Sequence, residues 1–266
     1  MKKILFAIAA LFLGVGGVLL RKAQLSRHFH PDTKLLDFDG SRFWPIVLIC
    51  AAAIVLAGLL AFLLKKKPEE NGSRLPSAIL LSAAAGVFFY AGLSSYLKES
   101  SLYAAIDLIL LALLLFSVLV TALLAYGLLT NKIEKVAIFS SVPVYWGVFT
   151  LLVTYRNMAL VPQIELFMFP IFAIMCFSAA SLCISRAFCG KEPGILLPAS
   201  AFGGIVFSLI AAFGDSAFLK NLPVKPHPTA LYTYAVAMTL FCLAALLLPA
   251  LPKKECEKKD APTQEA

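Results

Sequence analysis

The sequence predicts an all-α polytopic membrane protein, a bundle of about eight transmembrane helices arranged as antiparallel hairpins. Two observations carry this. The chain of 266 residues is 61% hydrophobic and only 14% charged, with a mean hydropathy of +0.88, whereas a soluble domain has roughly 45–50% apolar and about 25% charged residues. The apolar excess also falls in runs of about 17–25 residues, the length that crosses a hydrocarbon core of about 30 Å. In lipid each run must be a helix, because every backbone N–H and C=O then needs a partner within its own segment.

Eight runs meet that description: 4–20, 44–64, 76–97, 103–129, 137–155, 165–186, 195–213 and 229–250. Pro76, Pro193 and Pro228 stand just before or at the start of spans, where a missing N–H does no harm. Residues 1–251 form one membrane domain. The remaining stretch, 252–266, is charged and contains proline, as expected of a disordered cytoplasmic tail. The connections are short apart from the first loop and the 214–228 loop, so sequence neighbours should pair as hairpins.

Lys and Arg in the short loops set orientation. If all eight runs cross, one side receives Lys2, Lys3, Lys65, Lys66, Lys67, Arg74, Lys132, Lys135, Arg186, Lys191, Lys253, Lys254, Lys258 and Lys259. The other receives Arg21, Lys22, Arg27, Lys34, Arg42, Lys98, Arg156, Lys220 and Lys225. Fourteen against nine places both termini in the cytoplasm of a plasma membrane. If the first run did not cross, the bias would vanish. A third option is a cleaved signal peptide over residues 1–20. The Lys2–Lys3 start and apolar core fit it, but no A-x-A site follows, and Arg21–Lys22 opposes translocation.

The net charge of +8 punctuates spans and forms no long basic face. It points to anionic lipid headgroups near Lys65, Lys66, Lys67 and the C-terminal lysines, and not to nucleic acid. Cys50, Cys176, Cys183, Cys189, Cys242 and Cys256 show neither C-x-x-C pairing nor metal spacing and read as small packing residues without a disulfide framework. Ala10-x-x-x-Gly14, Ala199-x-x-x-Gly203 and "SAAAG" at 82–86 have the small-residue spacing that lets helices approach. A faint repeat starts at Ile79, Ile138 and Ile195. Hairpin duplication would explain it, and so would shared membrane composition.

Ionisable residues at membrane depth are the default pointers to function, and few are present. Asp107 lies about five residues into the fourth run, and Glu165 opens the sixth, next to Arg156 at the end of the fifth. Tyr103, Tyr155 and Tyr232 fall on the same outer side, with Tyr90, Tyr96, Tyr234, Trp44 and His227. One interpretation is an outward-facing substrate site built from Asp107, Arg156, Glu165, Tyr103, Tyr155 and Tyr232. The other is an aromatic interface belt, with carboxylates near helix N-termini where the helix dipole favours them. Pro143 and Pro170 interrupt apolar runs and should bend them, as the broken helices of transporters are bent.

The stretch "SRHFHPDTKLLDFDG" at 26–40 is the densest polar cluster. If extended, it puts His28, His30 and Asp32 on one face, a sensible transition-metal set. "FHPDT" also reads as a turn, which would break that geometry. No nucleophile elbow, P-loop, H-E-x-x-H or Rossmann fingerprint occurs, so the sequence implies neither a cofactor nor an enzyme.

The run "LLRKAQLSRHFHPDTKLLDF" resembles a segment of uncharacterised multi-pass bacterial membrane proteins. In these a first span is followed by a basic pair, a Gln-Leu, then Phe, Pro, Asp, Thr and a Gly-Leu. The matching positions are Arg21, Lys22, Gln24, Leu25, Phe29, Pro31, Asp32, Thr33 and Leu36, with Lys34 near where the glycine is expected. The match covers under a tenth of the chain. It implies a bacterial inner-membrane protein and no activity. Two functional expectations follow: a small-molecule transport or binding protein, or an accessory membrane protein without its own substrate.

Overall fold

The computed structural model describes residues 2–30, 35–36, 44–64, 73–98, 105–158, 167–216, 228–249 and 251. They form eight long helices and one short one. These are α1 (Lys2–His28), α2 (Trp44–Leu64), α3 (Leu75–Lys98), α4 (Ala105–Thr130), the short α5 (Ile133–Ala137), α6 (Val142–Met158), α7 (Met168–Phe188), α8 (Leu196–Leu209) and α9 (Pro228–Leu247). Six of the helical stretches are long and apolar enough to cross a membrane, and two shorter apolar stretches lie in α2 and α9. Their outward faces carry residues such as Phe12, Leu56, Phe116 and Leu152. A soluble surface would not tolerate so much exposed apolar area, so the chain is a multi-pass membrane protein in contact with lipid.

Sequence alone misplaces one boundary with consequences. The first apolar run ends at Leu20, yet α1 continues to His28. Arg21, Lys22 and Arg27 are therefore helical, and the first loop is shorter than expected. Helix continuation costs little, because "RKAQL" consists of strong helix formers. Beyond it, Phe29–His30 pairs antiparallel with Leu35–Leu36, Phe29 opposite Leu36.

Contacts along the helices fix their directions. Gly14 and Gly17 of α1 meet Leu209 and Ile210, so α1 and α8 run parallel. Ser208 Oγ lies 2.6 Å from Thr239 Oγ1, and Gly204 meets Cys242, so α8 and α9 run antiparallel. Ser140 bonds Ser185 across 2.9 Å, and Gly147 meets Ser178, which makes α6 and α7 antiparallel. Gly92 against Leu114 and Arg74 bonded to Asn131 do the same for α3 and α4. Lys3 donates to the Leu248 carbonyl, so the start of α1 shares one end of the bundle with the end of α9.

Two packing centres result. A ring of α3, α4, α6, α7 and α9 closes on Phe88, Trp146, Phe177 and Tyr234. Trp146 stands edge-on to Phe88 at 5.0 Å, to Phe177 at 5.5 Å and to Tyr234 at 5.5 Å. Each such pair contributes roughly 0.5–1.5 kcal/mol beyond area burial. The second centre is α8, which touches α1, α2, α7 and α9. Gly203 and Gly204 permit this, since a Cβ on Gly203 would press to 3.2 Å from Cys176 Sγ and one on Gly204 would collide with Cys242 Sγ. The "SAAAG" stretch works differently from its spacing. Ala84 and Ala85 are buried, while Ser82 and Gly86 face outward.

The two apolar-run prolines diverge. Pro170 sits in the first turn of α7, where it bends nothing. Pro143 follows a 3-10 turn, Ile138–Ser141. Lacking an N–H, it cannot bond the Phe139 carbonyl, and the Val142 N–H takes that carbonyl instead. Ser140 Oγ donates to the Ala137 carbonyl at 2.5 Å. Past the end of α7 stands Gly190, whose φ of 75° suits a residue without a side chain. Lys191 N–H bonds the Arg186 carbonyl there at 2.9 Å, closing the helix.

The tight α6–α7 approach gives a direct check. A Cβ at Gly147 would collide with Ser178 and lie 3.2 Å from Phe177, whereas Gly86 has open space. Gly147→Val should cost about 1–3 kcal/mol of overpacking and lower the apparent Tm of the detergent-solubilised protein by several degrees. Gly86→Ala should leave it unchanged or raise it slightly.

Candidate functional site

A heptad stripe runs down α1: Ala7, Ala10, Gly14, Gly17, Arg21 and Gln24. Its small members let α1 lie against α8; a Cβ on Gly14 would come within 2.6 Å of Leu209 Cδ1. The stripe ends on a charge. Arg21 occupies the same seam and is 1% exposed.

Its partner comes from the end of α8. After Leu209 the helix widens into a π turn, Ile210–Asp215, a local form frequent at functional sites. The turn carries Asp215 to the α1 face, five residues beyond Ile210, which already touches Gly17. Gly214 lies beside the Arg21 stem, where a Cβ would stand 3.1 Å from Arg21 Cγ. The Arg21 Nε donates to Asp215 Oδ1 at 2.6 Å, and Asp215 is fully buried. Arg21 Nη1 also donates to Gln24 Oε1 at 2.8 Å. The guanidinium lies over the Phe169 ring of α7, 5.2 Å from its centre. Tyr232 of α9 is buried at 4% exposure and within electrostatic range of both Asp215 and Arg21.

Two polar atoms are left over. Among the described residues, Asp215 Oδ2 and Tyr232 Oη are buried without a hydrogen-bond partner. Such groups are uncommon in native structures, because each forfeits its solvation. Ser77, Thr150, Thr154 and Ser181 carry others; what singles this place out is that two stand beside a buried ion pair.

The site lies at the end of the bundle opposite Lys3 and Leu248. Eighteen residues separate Lys3 from Arg21, about 27 Å along a helix, close to the thickness of the hydrocarbon core.

Of the residues singled out from sequence, Tyr232 enters this cluster. Tyr155 and Arg156 are exposed at the end of α6, and no described hydrogen bond or ion pair joins them to it. Asp107 belongs to the first turn of α4, its side chain outside the described part. Tyr103 and Glu165 lie outside the described residues, as does Asp32. His28 is the last residue of α1, and His30 stands in the short strand, so the chain is not extended through both. Among the described residues, no group of three or more His, Cys, Asp or Glu gathers to hold a metal.

Arg21, Gln24 and Asp215 escaped the sequence reading. Hydropathy puts the first two in a loop, because the apolar run stops at Leu20, and Asp215 likewise, because its run stops at Phe213. The seven-residue stripe was the available signal, since its spacing carries Arg21 and Gln24 onto the packed seam. Nothing local announces the π turn.

No protein-family model matches the chain, and neither the curated proteins nor the solved structures contain a match.

The ion pair should behave as a buried one. Arg21→Ala or Asp215→Ala leaves a charge uncompensated and should each destabilise the protein by about 3–5 kcal/mol. The double alanine variant should lose clearly less than the sum of the two. Unfolding curves of the four proteins in detergent provide the cycle, and additive losses would contradict coupling.

Proposed function

We propose that this protein binds and carries a small polar molecule across a bacterial plasma membrane, with the Arg21–Asp215–Tyr232 cluster as its site. In this reading all eight long helices cross and both termini are cytoplasmic. The bacterial setting rests on the resemblance of the Arg21–Leu36 segment, and the orientation on the Lys and Arg distribution. The shared end of Lys3 and Leu248 supports an even number of crossings.

The observation that carries the reading is the pair of unpartnered buried atoms, Asp215 Oδ2 and Tyr232 Oη, next to a buried guanidinium. Groups that a purely structural clamp would satisfy or omit are the groups a ligand uses. Asp107, Arg156, Glu165, Tyr103 and Tyr155 belong by chain position to the same outer end. An accessory role without a substrate remains the second reading. It is favoured by the clamp that the ion pair forms between α1 and the end of α8.

Topology has a clean test. In a background without other cysteines, Lys34→Cys should be labelled on intact cells by an impermeant thiol reagent. Native Cys256 as the single cysteine should be labelled only after permeabilisation. The reverse pattern would invert the orientation.

For binding, the purified protein is screened by thermal shift against small acids, amines, amides and sugars. At least one compound should raise Tm, and Tyr232→Phe and Asp215→Asn should each remove that shift while the unliganded protein still unfolds cooperatively. If no compound acts, or if both variants respond as wild type does, the site reading fails. A stably co-purifying protein would then favour the accessory role.

A further inference from the structure

The two unpartnered oxygens also specify what a ligand must offer, given the reading of this cluster as a binding site. We propose that it takes a small neutral molecule with a hydrogen-bond donor and an acceptor in one polar group, as in a carboxamide, a urea or an alcohol. The donor goes to Asp215 and the acceptor to Tyr232.

The ion pair uses only one of the two carboxylate oxygens. Arg21 Nε donates to Asp215 Oδ1 at 2.6 Å, a short, charge-assisted bond. A guanidinium and a carboxylate frequently meet through two parallel bonds. Here Nη1 is turned to Gln24 Oε1 at 2.8 Å, and Oδ2 is left without a partner. Arg21 interacts further than these two bonds, but no hydrogen bond reaches Oδ2 or Tyr232 Oη. These two atoms therefore set the requirement whatever else the guanidinium touches.

An ion-paired carboxylate oxygen only accepts, so Oδ2 needs an N–H or O–H from the ligand. The Tyr232 hydroxyl has one proton to give, so it needs an acceptor. Both residues are buried, at 0% and 4% exposure. Their free oxygens do not bond each other, yet the two residues are in electrostatic range. A group the size of an amide, with a hydrogen bond at each end, can serve both.

Hydrogen-bond complementarity then sorts the candidates. A carboxylate only accepts and would leave Oδ2 unpaired. An ammonium only donates and would leave the Tyr232 O–H without an acceptor. A tertiary amide accepts from Tyr232 but has nothing to give Oδ2. A carboxamide with an N–H, a urea or an alcohol serves both atoms. A buried polar atom left unpaired keeps its full solvation loss, and sites built to bond a substrate N–H or O–H reject analogues without it for this reason.

The test uses the full-length protein in detergent and a pair of isomers. N-methylacetamide has an N–H, and N,N-dimethylformamide has the same atoms without one. Acetamide, urea and ethanol are further donor–acceptor probes, with acetate as the anion and ethylammonium as the cation. Apparent Kd comes from thermal shift over a concentration series. N-methylacetamide should bind at least about tenfold more tightly than its isomer, the loss expected for one unmade bond to a buried charged acceptor. The donor–acceptor probes should bind ahead of acetate and ethylammonium. Asp215→Asn keeps a carbonyl for Arg21 and turns an N–H toward the ligand. In that variant N,N-dimethylformamide should bind at least as tightly as N-methylacetamide.

Equal binding of the two isomers in wild type, or absence of binding by both, overturns the proposal without recourse to any variant. An unchanged N–H preference in Asp215→Asn also overturns it, because the ligand then donates elsewhere. If acetate or ethylammonium binds instead and loses affinity in Tyr232→Phe, the ligand class is wrong while the site reading stands. If no probe binds and no wider screen finds a compound, both fall.

Discussion

Lipid tails are as apolar as leucine, so the hydrophobic effect that collapses a soluble core does little to draw one membrane helix to another. Close backbone approach and polar bonds must do that work, and in this protein both concentrate on α8. Its glycines let α7 and α9 in, with Gly203 against Cys176 and Gly204 against Cys242. Its far end is bonded to α1 through Asp215 and Arg21. Ser208 and Thr239 add a hydroxyl contact at 2.6 Å. The aromatic ring of helices around Trp146 packs well, but it reaches α1 and α2 mainly through α8.

The same concentration explains why the polar site is where it is. A buried guanidinium needs a carboxylate, a soft face and little competition from water. Asp215, Phe169 and the seam itself supply these. Replacing such a pair by apolar groups is often neutral or stabilising. Holding two helices together is therefore a weak reason for keeping it. The unpartnered oxygens of Asp215 and Tyr232 point the same way, because they forgo hydrogen bonds that a clamp would complete.

Much of the architecture was legible from composition and run length. The limits of α2 agree with the apolar run over 44–64, and those of α3 and α4 differ by at most two residues. The reason is that hydrocarbon thickness sets span length directly. The residues of the candidate site were far less legible. Hydropathy marks where a helix leaves lipid and not where it ends, so α1 outlasts its apolar run by eight residues and carries Arg21 onto a packed face. Counting basic residues treats every arginine beyond an apolar run as solvent-facing, and Arg21 is an exception. Tyr232 was reached for a different reason, as one of several outer tyrosines. The missing N–H of Pro143 has a local consequence, the 3-10 turn before it, while the effect of Pro170 depends on where α7 begins.

By itself, then, the sequence determined that this chain is a helical multi-pass membrane protein and where its apolar helices lie. Those properties follow from transfer energies summed locally along the chain. Tertiary structure alone decided that residues 21, 215 and 232 meet. Asp215 reaches the seam through a π turn, and Arg21 is buried only because Gly14, Gly17 and Gly214 let two backbones close around it. Pairing across nearly two hundred residues depends on which helix faces which, and no local sum contains that information.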